Sequence, residues 1–483
     1  MRKTIGFVAG PALFAAVLLA PTPEGLQGEG KLVLAAAVWM AVWWLTEALP
    51  IPATALLPLA IFPLAGVNSA GEVSSAFMDP NIVLFMGGFF LAQAIQRWDL
   101  HRRIALFVLL QVGSRPARLV LGFMLATAFL SMWVSNTATV IMMLPIGAAV
   151  LSQLSERGLA QDSRLPTVLM LGIAYAASIG GTATLIGTPP NIVLASQYAR
   201  LFPDRPPIGF LQWMSIGLPL AALFLPLTWL YLTRWFSSVA HEESTGNTGY
   251  LRRQYRDLGP LSPAERRVGM VFALAALGWI WRRDLELGFM TIPGWSHLLG
   301  IERTAHDSTV AIAASLLLFS IPADWKKKIF LLDWEWARKI PWGVLILFGG
   351  GIALAEEVQA TGVASWVGNG LEFFSGLPNI ALIVIVCLTL TFLTEITSNT
   401  ATSTIFMPIL AGLAVTLGVH PLLLMVPGAL SASCAFMLPV ATPPNAIVFG
   451  SGHITTQQMA RAGLALNLLG ALLITALVAL LLG

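Results

Sequence analysis

The chain has 483 residues, is 57% hydrophobic and only 11% charged, against roughly 25% charged in soluble domains. That deficit excludes an ordinary soluble core. The net charge of +3 is small for this length and names no partner; nucleic acid is not expected. Apolar runs near 20 residues recur from end to end, the length that crosses ~30 Å of hydrocarbon. Strand-like alternation in segments of about ten residues is absent, which excludes a β-barrel. The composition predicts an all-α polytopic membrane protein embedded in a lipid bilayer.

The first apolar run, 5–20, follows Arg2 and Lys3 and has no clean cleavage site, so it reads as a retained transmembrane helix. Further apolar segments fall at 32–48, 51–66, 81–96, 119–134, 138–154, 166–187, 190–200 and 209–233. The second part of the chain adds 268–281, 308–322, 342–360, 379–396, 402–416, 421–440, 445–451 and 460–482. Several are too short to span, and they come in pairs broken at proline or at S-N-T. Basic loops are expected at 97–118, 234–267 and 326–339, and the positive-inside rule puts all three in the cytoplasm. They share one side only if the segments around Ser135 and Ser398 dip in and return as re-entrant hairpins. The count then gives about 11 full spans plus two hairpins, with a cytoplasmic N-terminus. The 234–267 loop is too short for a soluble domain. Trp43, Trp44, Trp281 and Trp295, near helix ends, suit interfacial anchoring.

Internal repetition divides the chain. S-N-T-A-T stands at 135–139 and again at 398–402, 263 residues later. F-M-G-G-F (85–89) and F-G-G-G-I (348–352) match at the same offset, taking Gly87 against Gly350. G-T-P-P-N (187–191) and A-T-P-P-N (441–445) match at 254. Residues 1–233 and 268–483 therefore read as two copies of one unit, joined by the cytoplasmic stretch 234–267. Span counting turns the second copy over, the inverted-repeat pattern of many secondary transporters.

Hydroxyls and carboxamides at membrane depth are costly unless paired, and unwound backbone persists there only where it is buried in protein or lines a cavity. Ser135, Asn136, Thr137, Ser398, Asn399 and Thr400 supply neutral oxygens and amide donors. The prolines of T-P-P-N interrupt the helix and free backbone carbonyls. That donor set suits a hard monovalent cation, and helix N-termini at the same points suit an anion. No Arg or Lys lies within 119–154, 165–199 or 396–460. An anionic substrate would therefore be neutralised by co-bound cations and helix ends, which couples the two binding events. A lone S-N-T is usually an interhelical hydrogen-bonding element. Duplication beside matched P-P-N breaks favours a functional site.

These motifs, with W-W-L-T-E-A-L-P at 43–50 and G-T-A-T-L-I-G-T-P-P-N at 181–191, resemble the divalent anion/sodium symporter family over essentially the whole chain. The resemblance implies a homodimer whose protomers carry a scaffold domain and a transport domain moving as an elevator. It implies C4-dicarboxylate substrates such as succinate, malate and fumarate, with sodium as coupling ion and no organic cofactor. It implies a plasma membrane location, the inner membrane in bacteria. Carried over by motif, a first sodium site would use Ser131, Ser135, Asn136 and Gly187. The second would use Thr394, Thr397, Asn399 and Ala441. Substrate carboxylates would meet Asn136, Thr137 and Thr188 from one half and Asn399, Thr400 and Thr442 from the other, with Pro189 and Pro443 shaping the breaks.

Glu395 precedes the second tip where the first repeat has Met132, and is read as structurally paired, with a site-tuning role as the alternative. Glu47, Glu356 and Glu357 are read as structural, interface or capping residues, and Cys387 and Cys434 as packed thiols. No intramembrane His/Asp/Glu cluster, H-E-x-x-H or P-loop is present, so no enzyme is predicted. A channel would need a continuous polar pore. The competing transport readings are a sodium-independent dicarboxylate exchanger on the same fold and a sulfate or tricarboxylate symporter.

Overall fold

Proline and short polar residues set where the helices begin. Pro80, Pro116, Pro166, Pro189, Pro263 and Pro443 each occupy the first or second position of a helix, where a missing N–H costs nothing. Asp79 caps Pro80–Arg97 by accepting from the Asn81 N–H at 2.9 Å, and Ser262 and Glu265 form a reciprocal capping box at the start of Pro263–Ile280. The computed structural model describes residues 2–26, 28–113, 115–156, 164–237, 249–286, 290–370, 374 and 376–482. Among them the chain is overwhelmingly helical. Eight helices are long and apolar enough to cross a membrane, from Arg2–Leu19 to Thr456–Leu482.

The shorter apolar helices are informative. Pro116–Ser131 and Asn379–Thr394 have 16 residues each, about 24 Å, and both stop at an S-N-T motif. Each is followed by a second helix, Asn136–Glu156 and Asn399–Thr416. The helix is thus broken at 132–135 and at 395–398. The second type of break follows. Leu165–Gly181 gives way to unwound chain and resumes as Pro189–Leu201, and Leu422–Ala432 resumes as Pro443–Phe449. The apolar runs 166–187 and 421–440 are therefore helical only in their first parts. Hydropathy carried both runs past the helix ends because Ala183, Leu185 and Ile186, and Ala435 to Leu438, are apolar.

Packing interlocks the two halves. The first hairpin arm lies along Leu165–Gly181, so close that a methyl on Gly180 would stand 2.3 Å from the Ala128 carbonyl oxygen. Across the halves, Pro189–Leu201 packs on Asn399–Thr416, while Pro443–Phe449 packs on Asn136–Glu156 and Leu165–Gly181. The glycine-rich helices pack around these elements. Gly87 of Pro80–Arg97 faces Ala311 of Asp307–Ser320. In Trp342–Ala360, a Cβ on Gly350 would lie 2.0 Å from the Ala55 oxygen. Small residues permit this backbone approach where lipid provides no hydrophobic drive.

Three sequence-based boundaries need correction. Residues 97–118, read as a basic loop, contain the helix Leu100–Val112, and the loop 234–267 contains Gly249–Asp257 and the start of Pro263–Ile280. Residues 238–248 of that loop lie outside the described residues. The charge that suggested a loop is consumed inside: Arg103 Nε donates to Glu265 at 2.8 Å, and its other nitrogens reach the carbonyls of residues 258–260. The run 51–66 is two short helices, Ile51–Thr54 and Leu57–Leu64. Two small antiparallel ribbons, Leu285–Glu286 with Thr291–Ile292 and Pro322–Asp324 with Ile329–Phe330, add strand to an otherwise helical protein.

Candidate functional site

In the first half, Ser131 ends the inbound arm and Asn136 starts the outbound one. Ser131 Oγ lies 2.7 Å from Asn136 Oδ1 and 2.7 Å from the Ala177 carbonyl oxygen. A hydroxyl carries one proton, so it can donate to only one of these acceptors at a time, and the half-buried Asn136 oxygen keeps lone-pair capacity at the tip. The second half repeats the arrangement: Thr394 Oγ1 lies 2.7 Å from Asn399 Oδ1 and 3.0 Å from the Ala432 oxygen. Such acceptor-rich clusters are what a bound cation neutralises, and hard cations take oxygen ligands. No group of three or more His, Cys, Asp or Glu side chains that could hold a metal exists among the described residues. The donor set is one of neutral oxygens.

Glycine brings the broken helix onto the first tip. A Cβ on Gly181 would fall 2.4 Å from Asn136 Oδ1, and one on Gly187 would fall 2.4 Å from the Gly181 oxygen. Thr188 and Gly187 are buried, Pro189 is half-buried, and Asn136 and Thr137 are half-buried at the tip. Ser135 Oγ accepts weakly from the Ala138 N–H at 3.4 Å. On the other side Thr442 and Ala441 are buried and Pro443 is exposed. Thr442 Oγ1 accepts from the Asn445 N–H at 3.3 Å. Thr400 is nearly buried and its carbonyl accepts from Thr404 Oγ1. The Thr397 hydroxyl already has partners within the second tip region. It is engaged with the Leu393 carbonyl at 2.8 Å and with Thr402 Oγ1 at 2.6 Å.

The sequence reading missed the residues that hold the breaks open. Asn191 Nδ2 donates to the Gly181 and Thr184 carbonyls at 3.2 and 2.7 Å. Asn445 Nδ2 donates to Ala435 and Leu438 at 3.0 and 3.1 Å. Both clamps reach ten and seven residues back along the chain, and both amide oxygens are left without a partner. The signal was present as the last letter of each T-P-P-N. Trp213 Nε1 adds a bond to the Thr182 carbonyl, and Tyr175 Oη to the Phe436 carbonyl, each at 2.9 Å. Of the other acids, Glu356 pairs with Arg200 at 2.7 Å, Glu357 accepts from Asn68, and Glu47 lies 3.6 Å from Lys3.

These paired tips and paired breaks have a counterpart in sequence. Residues 2–482 match the family described as the sodium:sulfate symporter transmembrane region. The chain belongs to that family. Among relatives of this sodium:sulfate symporter family member is a protein of Staphylococcus saprophyticus named sodium-dependent dicarboxylate transporter SdcS. It is 44% identical over 484 residues, covering 99% of this chain and 91% of the relative. The protein of the same name from Staphylococcus aureus strain NCTC 8325 is also 44% identical, over 98% of this chain and 90% of its own length. Two solved structures share the fold. The YdaH transporter of Alcanivorax borkumensis has a TM-score of 0.59 at 14% identity, covering 92% of this chain and 98% of that one. MtrF of Neisseria gonorrhoeae has a TM-score of 0.60 at 13% identity, covering 100% and 95%.

Proposed function

We propose that this protein is a sodium-coupled symporter of C4-dicarboxylates. The observation that carries the reading is the duplicated acceptor-rich cluster, Ser131–Asn136–Ala177 and Thr394–Asn399–Ala432. Each gathers neutral oxygens around a half-buried tip asparagine, a donor set that suits a sodium ion. The names of its 44%-identical relatives support both the ion and the substrate class. The proposed sodium ligands are drawn from Ser131, Ser135, Asn136 and Gly187 in one half and Thr394, Thr397, Asn399 and Ala441 in the other. Asn136, Thr137, Thr188, Asn399, Thr400 and Thr442 then face the carboxylates, with Pro189 and Pro443 shaping the approach. With no Arg or Lys in these segments, sodium and helix N-termini neutralise the dianion, and each partner's binding lowers the cost of the other's.

In this reading the halves 1–233 and 268–483 are inverted repeats. The hairpins and broken helices form one transport unit, which moves as an elevator against the remaining helices in each protomer of a homodimer. The test is labelled succinate uptake into proteoliposomes under sodium, potassium and choline gradients. Sodium alone should drive accumulation, and Asn136→Ala or Asn399→Ala should abolish it in protein that still folds. Counterflow without sodium would instead establish the exchanger, and sulfate uptake without succinate uptake would establish a sulfate carrier.

A further inference from the structure

Among their differences, the two tips differ in charge at one position. Glu395 follows Thr394 directly, where the first half has Met132. Its side chain is buried, with 3% of the residue exposed. Oε1 accepts from the N–H groups of Phe436 and Met437 at 2.8 and 2.9 Å and from Asn467 Nδ2 at 2.7 Å, while Oε2 accepts from Leu438 N–H at 3.0 Å. All four partners are donors. Four donors converging on one carboxyl favour its ionised form over the protonated one. Three successive backbone N–H groups of the unwound stretch thus converge on one anion, and Asn467 ties it to Thr456–Leu482. The first half makes the same joint between tip and break without charge, through a bond from Thr184 Oγ1 to the Met132 carbonyl.

We propose that Glu395 is a positioning residue that sets a fixed negative charge beside the second-half cation site and makes it the tighter of the two. The inference rests on the sodium reading above. The carboxylate is adjacent in sequence to Thr394, whose hydroxyl belongs to the oxygen cluster. Its bonds also hold the chain leading to Ala441 and Thr442. In a low-dielectric interior, one unit charge near a cation changes its affinity substantially.

The test compares Glu395→Gln, which keeps size and loses charge, with Glu395→Asp, which keeps charge. Two readouts serve: the sodium dependence of succinate uptake, and the thermal shift produced by sodium alone on purified full-length protein. Glu395→Gln should raise the sodium half-saturation on the order of tenfold, with the succinate KM at saturating sodium within about twofold of the parent. Glu395→Asp should lie closer to the parent than Glu395→Gln does. A merely structural role predicts equal damage from both variants and no separation of sodium half-saturation from KM; that result overturns the inference. If Glu395→Gln does not fold, Met132→Glu should lower the sodium half-saturation, and an unchanged curve counts against the proposal. A parent protein with neither sodium-stimulated uptake nor a sodium thermal shift would bring down the sodium reading itself. A responsive parent with an unaltered Glu395→Gln brings down only this inference.

Discussion

At the scale of single residues, adjacent glycines perform different tasks. Gly180 lets two helix backbones touch, and Gly181 leaves room for the Asn136 amide. Gly180→Ala would press a methyl to 2.3 Å from the Ala128 backbone oxygen, which cannot give way as a flexible side chain would. Overpacking of this kind costs about 1–3 kcal/mol, so the variant should melt several degrees lower whatever the sodium concentration. Gly181→Ala meets the Asn136 side chain instead, which can rotate. It should keep most of its stability while the sodium half-saturation for uptake rises at least about tenfold, roughly the loss of one charge-assisted contact. A Gly181→Ala protein with an unaltered sodium curve would remove Asn136 from the cation site. The S-N-T asparagines were legible in the sequence because they are odd residues in apolar runs. The glycines were not, since glycine is common in membrane helices and only backbone proximity singles out these two.

At the scale of elements, what the sequence concealed was polar chemistry that is buried or locally paired. Hydropathy located nearly every apolar helix, and S-N-T and P-P located the breaks. It could not show that Arg103 is inside, or that the chain between Ile280 and Asp307 is fastened by ions. Arg282 Nε donates to Asp307 Oδ1, Asp307 Oδ2 accepts from the Phe210 N–H at 2.9 Å, and Trp279 Nε1 donates to the Asp307 carbonyl at 2.9 Å. Both ionic side chains are almost wholly buried, at 5% and 2% exposure. Removing one partner strands the other, which costs about 3–5 kcal/mol. Asp307→Ala should therefore lower the melting temperature sharply, and a change under about 1 kcal/mol would show the pair to be wet. Nearby, in the short helix Trp295–Leu298, the His297 imidazole lies 3.0 Å from Asp284 Oδ2. Its hydrogen bond to Asp284, with the charges of Asp284 and Glu302, raises its pKa above 6.5. A raised histidine stabilises fully below its unfolded value and loses that contribution as pH rises through the folded one. Asp284, held below 3.8 first by the Gly294 N–H, loses its share as pH falls through its own folded value. The contact is thus strongest between those two limits. Asp284→Asn should bring the His297 titration, followed by NMR, back toward 6.5; an unmoved titration would assign the shift to Glu302.

At the scale of the whole molecule, the two halves share a plan but not a posture. Val440 is 83% exposed, whereas Ile186, its counterpart 254 residues earlier, is 4% exposed. Ile396 at the second tip is 59% exposed. At the first tip Trp133 is stacked 6.1 Å from Phe210 and set edge-on 5.0 Å from Phe272, with Phe210 in turn stacked on Trp279. Unwound backbone cannot face hydrocarbon, because its N–H and C=O groups would lack partners. Val440 at the second break is then expected to line an aqueous cavity, whereas Ile186 at the first is buried. Two arrangements of near-equal energy related by exchange of these postures are what alternating access requires. The native thiols Cys387 and Cys434 are buried, so an introduced cysteine reports against a quiet background. Val440→Cys should react with a membrane-impermeant maleimide from one face of the membrane only, and Ile186→Cys should stay silent. Adding Trp133→Ala removes the stack, worth about 0.5–1.5 kcal/mol per aromatic pair beyond its buried area, and should make Ile186→Cys reactive from the opposite face. If Val440→Cys reacts from neither face, its surroundings are dry. If Ile186→Cys in the Trp133→Ala background reacts from the same face as Val440→Cys, the two breaks open to one compartment and the halves are not inverted.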